Sequence, residues 1–380
     1  MDNNQLYKLS PQLHVLTWIV VITWMVIAAF PLFWMATMSF KLPLDAFDAN
    51  ALTVIFGPNT KSMIGGISIV GVLVALGFGY LFLKAHLQRE SIINYFVTSF
   101  GSVPKFLVIL ILYIVLMIAA LITFFMVVPG ISSLFNMILG GIPLLNLLVE
   151  PFIGMTTQHY EAVWIENEFY KQFINTIVVT TGVVSISLTV ATLAAYGIAR
   201  TRSNLAFWLL IMALCFRALP YSTLVTGYLA PFIEYGLYGK RFGVVIVLVA
   251  INQPFTIWML RSFFMNIPPE LDEAALVDGC NRLQAFWKVI MPVMWPGVIT
   301  TGLFSFLLAY NDYMVAMLLL DGDARTMVPA ITQYFNRETT LTDQVEAIAA
   351  AASITAPIFV MVMFFQKQLV SGLTQGAVKG

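Results

Sequence analysis

Long apolar runs alternate with short polar ones along this chain, and the runs set the expected architecture. Windows of about 20 apolar residues, the length a helix needs to cross a bilayer, fall at about 15–38, 63–83, 105–128, 173–198, 205–232, 242–262, 296–320 and 346–367. Eight spans are expected, an even number that puts both termini on the same side. A further apolar run at 131–149 contains Gly140, Gly141 and Pro143, and reads as an interfacial or re-entrant piece. The first run, Val15–Phe40, exceeds a signal peptide's apolar core of about 7–15 residues and lacks an Ala-x-Ala site. It is expected to remain as the first transmembrane helix. The pattern changes character near residue 170: irregular loops precede it, and regularly spaced spans with compact polar loops follow.

Composition agrees with this reading. Hydrophobic residues make up 60% of the chain and charged ones 10%, with a mean hydropathy of +0.89; soluble domains carry about 25% charged residues. A soluble enzyme, a disordered chain and a nucleic-acid binder are excluded. The net charge of +0 implies no polyanionic partner. With the N-terminus placed in the cytoplasm, the inner segments hold Lys8, Lys84, Arg89, Lys105, Arg200, Arg202, Arg261, Arg282, Lys288, Lys367 and Lys379. The outer segments hold Lys41, Lys61, Lys171, Lys240, Arg241, Arg325 and Arg337, so the positive-inside bias favours this orientation. Cys215 and Cys280 form no CxxC pattern, and His14, His86 and His159 are scattered without ligand spacing, as interfacial or loop histidines would be. No metal site is expected. The second run carries Gly65, Gly66, Gly71, Gly77 and Gly79, a small-residue face that would permit close helix packing.

The most polar inner loop, residues 263–295, has a definite helix grammar. Pro268–Pro269 can open a helix, and Glu270, Asp272 and Glu273 then sit where negative charge suits its N-terminus. Gly279 is placed to end that helix, and Asn281 with Gln284 has the spacing of a capping box for a second one. Pro292 is expected to stop the second helix. On this grammar alone, an amphipathic connector remains an equal reading.

The residues themselves add a resemblance. Glu273-Ala274-Ala275, three residues, Gly279, nine residues and Val289-Ile290-Met291-Pro292 resemble the EAA motif of ABC importer permeases, with Val289 and Met291 as conservative departures. Segments 28–41, 175–200, 254–279 and 367–380 are similar to carbohydrate-uptake permeases of the maltose-transporter MalG type. The likeness covers roughly residues 15–41 and 171–380, leaving 42–170 unmatched. It implies an all-α polytopic bundle: a six-span-like type I importer core with about two additional spans in the N-terminal half. The domains would be 1–41, the first helix; 42–170, an insertion with two extra spans and an outer loop; 171–370, the core permease domain with its coupling loop at 263–295; and 371–380, a cytoplasmic tail.

By the same resemblance, Glu273, Ala274, Ala275, Asp278, Gly279 and Pro292 form a coupling site for an ATP-binding cassette subunit, and Gln368, Gly372 and Gly376 in the tail contact that subunit too. No G-x-x-x-x-G-K-[ST] loop occurs, so ATP and Mg would be bound by partner subunits and this chain is not itself an enzyme. The implied partners are a second related permease, two ATPase subunits, an extracytoplasmic solute-binding protein, membrane lipid and a sugar, in a bacterial inner membrane. Gln333, Tyr334, Asn336, Arg337 and Glu338 lie in an outer loop that either reaches the docked binding protein or is simply solvated.

Arg217 and Asp312 fall inside expected spans, where a charge is costly and marks a path or a partner. A break of the helix at Pro220 would open backbone groups near Arg217. Tyr310, Asn311 and Tyr313 flank Asp312, and rings with amides suit sugars; packing between subunits is the competing reading. An ion-coupled secondary transporter would need Asp312 as its site and matching broken halves, and no two-fold repeat is visible. A membrane hydrolase would need a nucleophile with a histidine at membrane depth, and no histidine lies mid-span.

Overall fold

The computed structural model describes residues 11–87, 115, 119, 123, 127–139, 146–201, 204–217, 221–335 and 340–377. The chain divides into two compact units, Met1–His159 and Tyr160–Gly380.

In the first unit, α1 (Pro11–Ser39) is the expected first span, exposed along its apolar length. Three short helices follow: α2 (Pro43–Ala46), α3 (Ala51–Phe56) and α4 (Pro58–Met63). Strand β1 (Gly66–Ser68) then pairs antiparallel with β2 (Pro151–Gly154), a small sheet that the all-helical reading did not include. Helices α5 (Ile69–Leu87), α6 (Val128–Leu139) and α7 (Asn146–Val149) lie between the strands in sequence. The second span was expected over 63–83, but residues 66–68 are committed to the sheet, so the helix starts at Ile69 and its described apolar stretch, Ile69–Phe82, is short for a crossing. Of the expected small-residue face, Gly65 and Gly66 precede this helix, Gly66 lying in β1, while Gly71, Gly77 and Gly79 lie on it. The third expected span, 105–128, falls almost wholly outside the described residues. So do Gly140, Gly141 and Pro143, which separate α6 from α7.

A buried polar knot holds this unit. Asp45 accepts hydrogen bonds from the Thr60 N–H (2.6 Å) and hydroxyl (2.6 Å) and from the Asn59 N–H (3.2 Å) and amide (2.9 Å), fastening α2 to α4. Lys41 Nζ donates to the Gly154 carbonyl, and His159 Nε2 lies 3.0 Å from the Lys41 carbonyl. His159 is therefore a buried residue with a partner, where a loop or interfacial histidine was expected. A Cβ on Gly154 would sit 2.1 Å from the Gly57 carbonyl oxygen, so only glycine lets β2 approach α4 this closely. Burial pulls Lys41 down to about 8, against the raising influence of Asp45. It also lowers His159. Burial pushes Asp45 up, but the Thr60 and Asn59 hydrogen bonds outweigh it and hold the carboxyl below its ordinary value.

The second unit is a bundle of long helices. α8 (Phe169–Arg200) and α11 (Arg241–Phe264) run side by side in the same direction: Asn175 hydrogen-bonds Arg241, Gly182 abuts Val245, and Tyr196 meets Phe264. α13 (Arg282–Tyr310) runs antiparallel to them, with Gly297 on Phe263, Gly302 on Leu188, and Ser305 accepting a 2.7 Å hydrogen bond from Asn252. Between α8 and α11 in sequence come α9 (Asn204–Arg217) and α10 (Tyr221–Glu234), which share the expected span 205–232; Pro220 lies outside the described residues between them. After α11 comes the short helix α12 (Glu270–Val277). Beyond α13 lie α14 (Met314–Leu319), α15 (Met327–Ile331) and α16 (Leu341–Ala377).

Three differences from the expected spans follow. The seventh was expected over 296–320, but α13 begins fourteen residues earlier and ends at Tyr310, where residues 311–313 turn into α14. The last span continues as helix to Ala377, through most of the tail. Among the described residues, five helices are long and apolar enough to cross a membrane, against the eight spans expected.

Candidate functional site

The polar loop 263–295 folds much as its grammar predicts. Glu270, Asp272 and Glu273 occupy the first turn of α12. Its C-terminus is a Schellman turn: Gly279 has φ 87°, its N–H reaches the Leu276 carbonyl (3.1 Å), and the Cys280 N–H reaches the Ala275 carbonyl (3.0 Å). Nothing lies within 4 Å of a Cβ at Gly279, so its requirement is torsional and not one of space. The capping box is present as well, with Gln284 N–H to Asn281 Oδ1 at 2.8 Å and Asn281 N–H to Gln284 Oε1 at 3.0 Å.

Pro292 does not stop the helix that this box begins. A π-helical turn, Phe286–Ile290, leads into it, and α13 runs on to Tyr310. A widened turn admits a residue that clashes with, and cannot bond to, the carbonyl four residues back.

The two alanines of the motif have opposite surroundings. Ala275 is 4% exposed and packs inward, while Ala274, Glu273 and Asp278 face out. Beside them lie exposed apolar side chains: Leu276, Leu283, Trp287 and Val277, the last 87% exposed. Acidic and large apolar side chains are thus both exposed along this loop.

Asp272, read from the sequence only as a favourable charge at a helix N-terminus, has a more specific role. Tyr196 Oη donates to Asp272 Oδ1 at 2.5 Å, and Arg200 Nε donates to Oδ2 at 2.8 Å. Arg200 Nη1 also donates to the carbonyls of Ile267 (3.2 Å) and Phe264 (3.4 Å), satisfying the C-terminal end of α11. Sequence reasoning missed Tyr196 and Arg200, which lie more than seventy positions away on α8; the weak available signal was a tyrosine and an arginine four apart at a span's end.

The other expected site residues disperse. Arg217 lies with its guanidinium carbon 4.7 Å from the centre of the Phe255 ring, and Phe255 in turn meets Trp258 and Phe304, each at 6.0 Å. Tyr310 is buried, stacked on Phe306 at 5.1 Å, and its hydroxyl donates to the Ile354 carbonyl (3.1 Å), so it packs α13 against α16. Asp312 accepts from the Ala316 N–H (2.9 Å) and caps α14, while Asn311 bonds the Leu307 carbonyl (3.0 Å) and Tyr313 is partly exposed. The turn 310–313 is thus mostly occupied by internal work. Gln333 is exposed, but the Tyr334 ring is buried beside Met327 and Ala347. Asn336, Arg337 and Glu338 lie outside the described residues. Gln368, Gly372 and Gly376 fall within helix α16. Among the described residues no group of three or more histidine, cysteine or acidic side chains could hold a metal, and both cysteines are free.

Comparison with known proteins meets this geometry. Residues 187–375, which contain the whole 263–295 loop, match the family model for the binding-protein-dependent transport system inner membrane component. The chain is 30% identical over 228 residues to the diacetylchitobiose uptake system permease DasC of Streptomyces coelicolor, covering 60% of this chain and 82% of that one. It is 33% identical over 227 residues to the trehalose transport system permease SugB of Mycobacterium tuberculosis, covering 60% and 83%. With the trehalose/maltose transport system permease MalG of Thermococcus litoralis the identity is 32% over 207 residues, covering 54% and 74%. The chain belongs to the binding-protein-dependent transport system inner membrane components, the multi-pass permease subunits of ATP-driven importers.

Proposed function

We propose that this chain is one of two paired permease subunits that import a di- or oligosaccharide delivered by an extracytoplasmic binding protein. Two partner ATPase subunits bind ATP and Mg and hydrolyse the nucleotide. The sugar class is supported by relatives named for diacetylchitobiose, trehalose and maltose uptake. The orientation rests on the bias of basic residues, which puts both termini and the 263–295 loop in the cytoplasm.

The observation that carries the reading is the build of α12. Its ends are fixed by Pro268–Pro269 and the Gly279 turn, the 281–284 capping box starts the next helix immediately after, and Glu273, Ala274 and Asp278 remain exposed beside Val277. A short rigid helix with an unpaired acidic and apolar face suits insertion into a cleft of an ATPase subunit, with Glu273 meeting a basic residue there. Pro292 belongs to the helix that carries this contact onward. The α16 tail, through Gln368, Gly372 and Gly376, adds a second contact with the same subunit. In the membrane, Arg217 on Phe255 lies beside the sugar's route, and Gln333, with Asn336, Arg337 and Glu338, contributes to binding-protein docking. Residues 42–170 form an insertion upon a core of 171–370, and membrane lipid surrounds the apolar faces. Ion coupling is disfavoured, because Asp312 spends its carboxylate on the N-terminus of α14.

The test is affinity purification of the tagged chain from native membranes, wild type against Glu273→Ala, with ATP hydrolysis recorded. The wild type should bring down an ATPase subunit and a second permease, and the variant should lose the ATPase or its stimulation. Recovery of the wild-type chain alone, without nucleotide hydrolysis, would overturn the proposal.

A further inference from the structure

The inner end of α8 meets every segment around the coupling helix. The Tyr196 ring lies 5.6 Å from Phe264 at the end of α11 and 4.9 Å from Phe286 at the start of α13, while its hydroxyl reaches Asp272 on α12. Arg200 holds the same Asp272, the Phe264 carbonyl, and the Ile267 carbonyl in the turn between α11 and α12. Arg200 and Asp272 side chains are only 20% and 16% exposed, so their bond is shielded from water and stronger than a surface ion pair. Rings and a guanidinium packed against a carboxylate hold direction as well as distance, since each donor is used at a fixed angle.

From this geometry, and resting on the importer reading above, we infer that Asp272, Arg200 and Tyr196 form a strap through which displacement of the coupling helix is delivered to α8. The three are positioning residues. Glu273 and Asp272 are adjacent on one short helix, but Glu273 is exposed and Asp272 is turned inward. Neighbouring carboxylates therefore divide two tasks: one faces the ATPase, the other grips the membrane helix. α11 and α13 receive motion through the backbone on either side of α12, whereas α8, remote in sequence, depends on side chains to move in step. Asn175 fastens the far end of α8 to Arg241, but without the strap the end near Tyr196 is left with ring and other apolar contacts, which resist separation but allow sliding because they are non-directional.

The experiment uses the complex purified through a tag on this chain and placed in lipid nanodiscs. Cys215 and Cys280 are replaced by alanine, and Thr201→Cys, exposed beside Arg200, reports on the end of α8 by its rate of maleimide labelling. Rates are compared without nucleotide and after trapping with ATP and vanadate. The otherwise wild-type complex should show a clear change between the two states. Asp272→Asn and Arg200→Gln should each lose that change while retaining the ATPase subunit and its hydrolysis, and the double variant should be no worse than either. Arg200→Lys, which keeps the charge, should retain part of the response. Tyr196→Phe keeps the ring packing and provides a milder test if the charge variants fold poorly; it too should blunt the change. A full response in Asp272→Asn, or losses that multiply in the double variant, would overturn the strap. Loss of the ATPase subunit from Asp272→Asn would also overturn it, by making Asp272 a docking contact. A wild-type complex that contains no ATPase would defeat the importer reading itself, which is a different failure.

Discussion

Two carboxylates organise the two units in different ways. Asp45 is fully buried, and its hydrogen bonds come from α4, a neighbour about fifteen positions along the chain. Asp272 is partly accessible, and its partners come from a helix more than seventy positions earlier. A carboxylate satisfied by its own neighbourhood stabilises a local fold. One satisfied by a distant helix makes that helix mechanically dependent on it. The difference separates a part of the chain built to stay still from one built to transmit, and it coincides with the family match, which covers the second and not the first.

The sharpest way to break that comparison is to remove Asp45. Asp45→Ala leaves the Thr60 and Asn59 donors without their acceptor, and should cost roughly 3–5 kcal/mol, the scale for breaking a buried charged network. Hydrogen exchange across residues 42–63 should rise sharply while the ATPase subunit still copurifies. If the subunit is lost with the knot, the two units do not divide the work as stated.

A pH series comes next. Lys41, His159 and Asp45 are all held below their ordinary values. For each, the unfolded chain binds protons at a pH where the folded one does not, so stability rises with pH. The lysine contribution grows from about pH 8, its folded value, towards its ordinary value of 10.5. That of the histidine is complete above its ordinary value of 6.5 and fades as pH falls below it. That of the aspartate is complete above 3.8 and is lost as pH falls through its lowered value. Each group can contribute at most about 1.4 kcal/mol per pH unit within its own window. Exchange across residues 42–63, corrected for the intrinsic rate, should slow steadily from acid to alkali, and His159→Gln should flatten the step just below pH 6.5.

The smallest effect is expected at Asn281. Asn281→Ala removes half of the capping box, at a cost of about 1 kcal/mol. It should reduce the stimulation of ATP hydrolysis mildly, leaving exchange in the first unit unchanged.

How much of this was legible in the sequence depended on the range of the interaction. The capping box and the Gly279 turn are local, formed by residues within five positions, and their spacing announced them. Long apolar helices such as α8 and α11 were equally plain, since hydropathy is a property of a single window. The late start of α5 was not, because it depends on pairing of residues 66–68 with residues 151–154. The partners of Tyr196, Arg200, Lys41 and His159 were hidden for the same reason: periodicity says which side chains are polar, not what they will meet. Pro292 failed differently. The rule that proline ends a helix is local and sound, but a single widened turn escapes it.

That widened turn sets a scale for the whole assembly. Since Pro292 leaves the helix unbroken, Arg282–Tyr310 is a single rod of 29 residues, about 43 Å long at about 1.5 Å per residue. A tilt of about 5° shifts one end relative to the other by nearly 4 Å, about the width of a methyl group, by that same rise per residue. A rod of this length is a lever arm, and its fulcrum is set wherever α8 and α11 grip it most tightly. Its contacts with those helices at Gly297, Gly302 and Ser305 lie nearer Tyr310 than Asn281, so rocking beside Asn281 arrives reversed and reduced at the Tyr310 end, where the chain turns into α14.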